Sequence, residues 1–285
     1  MTFKLRVATC TALPELDIDA QPLAEAFARA GAEVEVLAWD DPYVHWDAPV
    51  PTVIRSTWNY AQQLDTYLAW IDRVSAAAPL WNPADVVRGN VRKRYLLELA
   101  ARGVATVPTT LVEAGATVDL ATCSGGGRFV IKPEVGAGSW LTRAFDRADD
   151  PGAASFLAEV TSRGAALIQP YVASVEAYGE RSLVWIDGTL SHAIRKSPRF
   201  SGDRESTTGP FPIADDERAL ADAALAPLRD RILYGRVDLA RDARGQPMVM
   251  ELELVEPSLF FARQPGSVDC YVAGLLRRLR AQGAG

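Results

Sequence analysis

Histidine and cysteine are scarce in this chain. His45 and His192 are the two histidines, and Cys10, Cys123 and Cys270 the three cysteines, in 285 residues. The histidines lie far apart and no C-x-x-C pair occurs, so a zinc knuckle or zinc hydrolase has no ligand set to rest on. Three widely spaced cysteines also argue against a disulfide framework, and reduced thiols fit a cytoplasmic protein. No apolar run approaches the ~20 residues that a bilayer-spanning helix needs. The opening MTFKLRVATCTALPE lacks the apolar stretch and cleavage pattern of a signal peptide, so no membrane partner is expected. No G-x-G-x-x-G follows the first strand, and no G-x-S-x-G elbow surrounds Ser56. These absences remove the dinucleotide fingerprint and the usual anchor of a serine hydrolase. A formal net charge of −6 argues against a nucleic-acid partner. A few local lysines and a metal can still reverse the field inside one cleft.

What is present reads as a folded chain, 48% hydrophobic and 23% charged, long enough for two or three packed units. Over residues 1–86, strands at 5–10, 32–39 and 51–57 alternate with helices near 19–31 and 64–77, which predicts a small parallel sheet. Asp19 is placed to cap the first helix. Residues 87–177 predict a helix over 91–102 capped by Asn90, a strand at FVIKPE, a helix at PGAASFLAEVTSRG and a strand at ALIQPYV. Residues 178–285 open with a hairpin turning at Asp187-Gly188. A plain two-residue loop there sets Val184 opposite Ser191 and Glu180 opposite Arg195. PRFSGDRESTTGPFPI reads as a mobile loop. A helix from about 216, strands at YGRVDLARD and PMVMELELVE, and a closing helix carrying Arg277, Arg278 and Arg280 near its C-terminal end complete the chain. The whole predicts a mixed α/β and α+β fold.

Several residues break this pattern in ways that carry chemistry. Lys132 ends the apolar strand FVIK and is followed by Gly136, Ala137, Gly138 and Ser139, small residues that let backbone amides approach phosphate oxygens. The lysine precedes the loop, the reverse of a P-loop. Lys93 lies near a helix start, where the dipole favours an anion; it is either a solvated helix lysine or a phosphate ligand. Arg236 and Asp238 share one strand face, as do Glu251 and Glu253. Clustered carboxylates raise one another's pKa unless a hard divalent cation or arginines offset the charge. Glu256, immediately before Pro257, can complete a cation site, face substrate or satisfy backbone donors. Gln169, Pro170, Tyr171 and Val172 offer an edge that can read adenine, or form a linker, and Glu176 can accept from ribose hydroxyls. Arg55 can pair with a carboxylate, aided by Ser56, Thr57 and Asn59, unless these only shape a strand-to-helix connection.

Taken in order, Lys93, FVIKP with GAGS, IQPYV, RVD and ELELVEP resemble the ATP-grasp superfamily over essentially the whole chain. RSTWNY, WNP, KRYLLELAARGV, GERSLVW, SHAIRK and MELELVEPSLFF resemble the narrower branch that contains the cyclo-ligase closing O-ureido-serine to cycloserine. The resemblance implies an N-terminal α/β substrate-side domain over 1–86, a linker helix and central lobe over 87–177, and a C-terminal lobe with metal-binding strands over 178–285, the two lobes clasping ATP. It implies an ATP- and Mg²⁺-dependent carboxylate–nitrogen ligase working through an acyl phosphate on a small amino-acid-like substrate. A two-substrate ligase, a carboxylate kinase and a non-catalytic ATP-binding protein are the alternatives, and a homodimer is the expected assembly. Lys93, Lys132 and residues 136–139 would bind phosphates, 169–172 adenine and Glu176 ribose. Arg236, Arg195 and Lys196 would be catalytic, and Asp238, Glu251 and Glu253 would hold Mg²⁺. Arg55, Ser56, Thr57, Asn59, His192, Glu256 and Ser258 would meet substrate. One departure stands out: Glu251-x-Glu253 replaces the family's usual Glu-x-Asn.

Overall fold

Short apolar segments separated by helices must cross over to pair in parallel, and the N-terminal strands do so. In the computed structural model, which describes residues 3–197 and 206–283, β1 (Lys4–Thr9) is followed by α1 (Ala20–Arg29), β2 (Glu33–Ala38), β3 (Thr52–Ile54), α2 (Leu64–Ala77) and β4 (Leu80–Trp81). They form a parallel sheet of order β2-β1-β3-β4. The helix expected at 64–77 is found there. Asp19 does not cap α1 through its side chain. Its carboxylate is fully buried and accepts instead from the backbone N–H groups of Leu259, Phe260 and Phe261 and from Arg55.

α3 (Ala84–Asn90) ends where the helix expected over 91–102 should begin, and only α4 (Tyr95–Ala101) falls within that range. Asn90 is not a cap: its side chain donates to the Leu252 carbonyl at 2.8 Å and accepts from the Leu254 N–H at 2.7 Å. The break at 91–94 lets the Lys93 N–H reach the Glu134 carbonyl at 2.8 Å. Next come β5 (Thr110–Val112), α5 (Leu120–Ser124), β6 (Phe129–Pro133), β7 (Arg143–Phe145), α6 (Pro151–Thr161) and β8 (Ala166–Pro170). These strands make an antiparallel sheet of order β5-β8-β6-β7 over a core of its own, built on Phe129, Ile131, Phe145, Leu157 and Ile168.

After α7 (Ser174–Ala177), β9 (Glu180–Ile186) and β10 (Thr189–Lys196) form the expected hairpin. Asp187 and Gly188 both have positive φ, 45° and 99°, as a tight hairpin turn demands. Arg277 and Arg278 both pair with the Asp187 carboxylate, so these arginines brace the turn as well as ending their own helix. The expected register fails by one residue. β10 carries a bulge between Leu190 and His192, so Val184 lies opposite His192 and Glu180 opposite Lys196. An extra residue in one strand reverses which side chains beyond it face inward. Part of the expected mobile loop is a strand, β11 (Thr207–Phe211), paired to β10; residues 198–205 lie outside the described residues. After α8 (Asp215–Leu225), β12 (Tyr234–Arg241) and β13 (Pro247–Glu253) complete an antiparallel sheet of order β11-β10-β9-β12-β13, and α9 (Ser267–Ala281) closes the chain.

Leu5, Val7 and Val53 of the parallel sheet share one core with Val184, Ile186, Tyr234, Tyr271 and Leu275. The first and last units are therefore packed as one mass, while the central sheet stands over them. Among the described residues no helix is long and apolar enough to cross a membrane.

Candidate active site

The site begins with strand register. Arg236 lies opposite Glu253 and Asp238 opposite Glu251 across the β12–β13 ladder. Alternation then puts all four side chains on one face. The carboxylate oxygens of Asp238, Glu251 and Glu253 include a set within 4.8 Å of one another. Basic groups offset that charge from several directions. Arg236 donates to both oxygens of Asp238 at 2.8 Å and to Glu253 at 2.5 Å. Lys196 reaches Asp238 at 2.7 Å and also pairs with Glu180. From the central sheet, Lys132 reaches Glu251 at 2.8 Å.

The protonation equilibria follow from this balance. Burial opposes charge on Asp238, but Arg236 and Lys196 outweigh it and hold the carboxyl far below the usual carboxylate range. Desolvation likewise opposes charge on Glu251, and Lys132 with Lys93 brings it down to about 2. Glu253 is pushed up by burial, which Arg236 only partly offsets. Burial raises Glu180 to about 8 despite Lys196. Three carboxylate residues converging this closely suit a hard divalent cation, which prefers oxygen ligands and removes their mutual repulsion.

The phosphate-loop candidate is attached to the same place. Beyond Lys132 and Pro133, the buried Glu134 pairs with Arg92 and Arg94, and Lys93 donates to the Gly136 carbonyl at 2.5 Å. The start of α4 and the loop are thus tied together. Gly138, Ser139 and Leu141 have φ of 59°, 61° and 50°, which is ordinary for glycine but strained for the other two.

A cleft of about 530 Å³ lies between the central sheet and the five-stranded sheet. Lys93, Lys132, Gly136, Ala137, Gly138 and Ser139 line one side, and Gln169, Pro170, Tyr171 and Val172 line it farther along. Lys196, Arg236, Glu251, Glu253, Glu256 and Ser258 face them. Asp238 sits behind this surface with no exposure.

Other expected site residues are not brought to the cleft. Arg195 falls on the outer side of the bulged strand, exposed, and donates to the Ala177 carbonyl. His192 is buried, with Nε2 at 3.0 Å from the Leu259 carbonyl. Glu176 accepts from Arg128 and from the Tyr171 hydroxyl on the outer surface. Arg55 is buried against Asp19 and the Pro257 carbonyl. Ser56 contacts Thr9, Thr57 contacts Tyr67, and Asn59 is held between Trp39 and Asp40. All four are consumed in fixing the connection after β3. Trp58 and Tyr60, on either side of Asn59 in sequence, line the cleft instead, as do Glu180 and Trp140. Alternation along RSTWNY was the available signal for Trp58 and Tyr60, but aromatic side chains read equally well as core.

The comparisons with known proteins bear on the family and the fold. The family described as D-cycloserine synthetase DcsG, N-terminal domain, matches residues 5–82. The cycloserine biosynthesis protein DcsG of Streptomyces lavendulae is 36% identical over 293 residues, covering 96% of this chain and 98% of that one. The crystal structure of D-cycloserine synthetase DcsG matches with a TM-score of 0.88 at 34% identity, covering 97% of this chain and 99% of that one. A RimK-domain ATP-grasp protein from Sphaerobacter thermophilus, 18% identical, has a TM-score of 0.69 over 95% of this chain and 99% of its own, a likeness of fold alone. The chain belongs to the family of the D-cycloserine synthetase DcsG and is an ATP-grasp ligase that forms a carbon–nitrogen bond.

Proposed function

We propose that this ligase activates the carboxylate of a small O-ureido-serine-like amino acid as an acyl phosphate and closes it on a nitrogen of the same molecule. The observation that supports this most is the Lys132–Glu251 contact, which joins the basic side of the central sheet to the acidic face of β13. Opposite charges from two sheets converge on one cleft, as a triphosphate and its counter-ion require.

In the first step a substrate carboxylate oxygen attacks the γ-phosphorus, and the bond from that phosphorus to the ADP oxygen breaks. In the second the substrate nitrogen attacks the acyl carbon, the carbon–nitrogen bond forms, phosphate leaves, and the nitrogen gives up its proton to solvent. Lys93, Lys132 and the amides of 136–139 bind the phosphates, and the edge at 169–172 takes adenine. Arg236 and Lys196 stabilise charge that develops at the transferring phosphoryl group and the acyl oxygen. Asp238, Glu251 and Glu253 would hold Mg²⁺, which when bound neutralises phosphate charge. The protein's share is alignment: it holds two reluctant groups of one molecule at reacting distance.

The test is incubation with ATP, Mg²⁺ and O-ureido-serine of either hand, following ADP, phosphate and product mass together. Stoichiometric ADP, phosphate and a cyclised product are expected. ADP release without a cyclic product means a carboxylate kinase, and a product that needs a second amine means a two-substrate ligase. No ADP with either enantiomer overturns the reading.

A further inference from the structure

Acids that line the cleft on the five-stranded sheet differ in one respect. Glu180 pairs with Lys196, Glu251 with Lys132 and Glu253 with Arg236. Among the described residues no cation pairs with Glu256, although it lines the cleft and is only 8% exposed. The positive groups that influence it most, Lys93 and Arg236, are already bonded to the Gly136 carbonyl and to Asp238. A buried carboxylate without a cation is costly, and the protein has nonetheless built this one in place.

Its backbone is fixed with unusual thoroughness. The Trp58 indole donates to the Glu256 carbonyl at 3.0 Å, Arg55 to the Pro257 carbonyl at 3.1 Å and Arg236 to the Ser258 carbonyl at 3.2 Å. The next three N–H groups, from Leu259 to Phe261, are held by Asp19. Each residue from 256 to 261 is therefore anchored, and the Glu256 side chain projects from a rigid base beside Trp58 and Ser258.

We propose that Glu256 receives the α-ammonium group of the substrate, so that the cleft selects amino acids over carboxylic acids that lack the amine. This rests on the ligase reading above and goes further by assigning the group that sets substrate class. A cation from the substrate supplies the partner that the chain withholds, whereas a des-amino analogue leaves the acid buried and unpaired. Burial, then Glu253, pushes the Glu256 carboxyl up to about 8, so the empty cleft favours the neutral acid and an arriving ammonium group favours its ionisation. A charge-assisted contact in such a place is worth about 10- to 100-fold in binding.

The experiment compares O-ureido-serine with its des-amino analogue, 3-(ureidooxy)propanoate, as substrates for the wild-type enzyme, Glu256→Gln and Glu256→Asp. The wild type is expected to prefer the amino acid in kcat/KM by about 10- to 100-fold. Glu256→Gln should shrink that preference to within about threefold while leaving the KM for ATP unchanged, and Glu256→Asp should keep most of it. A merely structural role would weaken both compounds equally. A preference undiminished in Glu256→Gln, or absent from the wild type, overturns the assignment while the ligase reading stands. Turnover of neither compound by the wild type, with no ADP formed, overturns the ligase reading and this assignment together.

Discussion

Consider replacement of Asp19 by alanine, a residue outside the cleft. Its carboxylate has no exposure and accepts from Arg55 at 3.2 Å and from three backbone N–H groups at 2.5, 3.2 and 2.9 Å. The Arg55 side chain is itself 2% exposed, and its Nε and Nη1 have no partner. Without Asp19, a buried guanidinium keeps only the Pro257 carbonyl. Removing one partner of a buried ion pair costs about 3–5 kcal/mol, because the other charge stays desolvated. The orphaned N–H groups add to this, but water entering the space left by the side chain relieves part of it, so about 4 kcal/mol is expected in all. At about 2–4 °C per kcal/mol for a chain near this size, the melting temperature should fall by about 10 °C. Arg55→Met should cost less, since it removes the charge together with its unsatisfied donors. The double variant should be more stable than the sum of the two single losses, which thermal melts followed by circular dichroism will show. The reasoning is refuted by an Asp19→Ala protein that melts within about 2 °C of wild type. It is equally refuted if Arg55→Met leaves melting unchanged and raises only the KM for the amino acid, as a substrate contact requires.

Three further outcomes follow, two from the site and one from the buried His192. Lys196→Met should lower kcat by about 100-fold, since it strips a cation from Asp238 and the cleft, whereas Arg195→Ala, whose side chain lies outside, should match wild type in steady-state turnover. Glu251→Gln and Glu253→Gln should each raise the magnesium concentration for half-maximal activity by about tenfold, read from a metal titration at saturating ATP. His192 is held below its ordinary pKa of 6.5 by burial, so the unfolded chain binds its proton first as pH falls. Its contribution is complete above about pH 6.5 and declines below it, and His192→Gln should flatten the acid side of a melting-temperature profile below about pH 6.5.

The legible parts of this protein were those governed by period. The alternation in YGRVDL and MELEL placed Arg236, Asp238, Glu251 and Glu253 on shared faces, and the pairing of β12 with β13 then brought the faces together. Asp187-Gly188 announced its hairpin. What escaped was set by single long-range contacts. The bulge at Ser191 has no local signature, yet it turns Lys196 inward and Arg195 outward. Asn90 and Asp19 carry ordinary capping chemistry, but tertiary partners some 160 and 240 residues away claimed their side chains. Arg55 looked like a carboxylate receptor and is one, for a carboxylate of the protein. Trp58 and Tyr60 were hidden because an aromatic that lines a cleft and one that fills a core follow the same pattern.

The most direct test of the account uses substrate whose carboxylate carries a heavy-oxygen label. A single turnover with ATP and Mg²⁺ should deliver one labelled oxygen into the released phosphate, because the acyl carbon parts from that oxygen as the ring closes. Unlabelled phosphate accompanying a cyclised product contradicts the acyl-phosphate route and the roles assigned here to Lys93, Lys132 and Arg236.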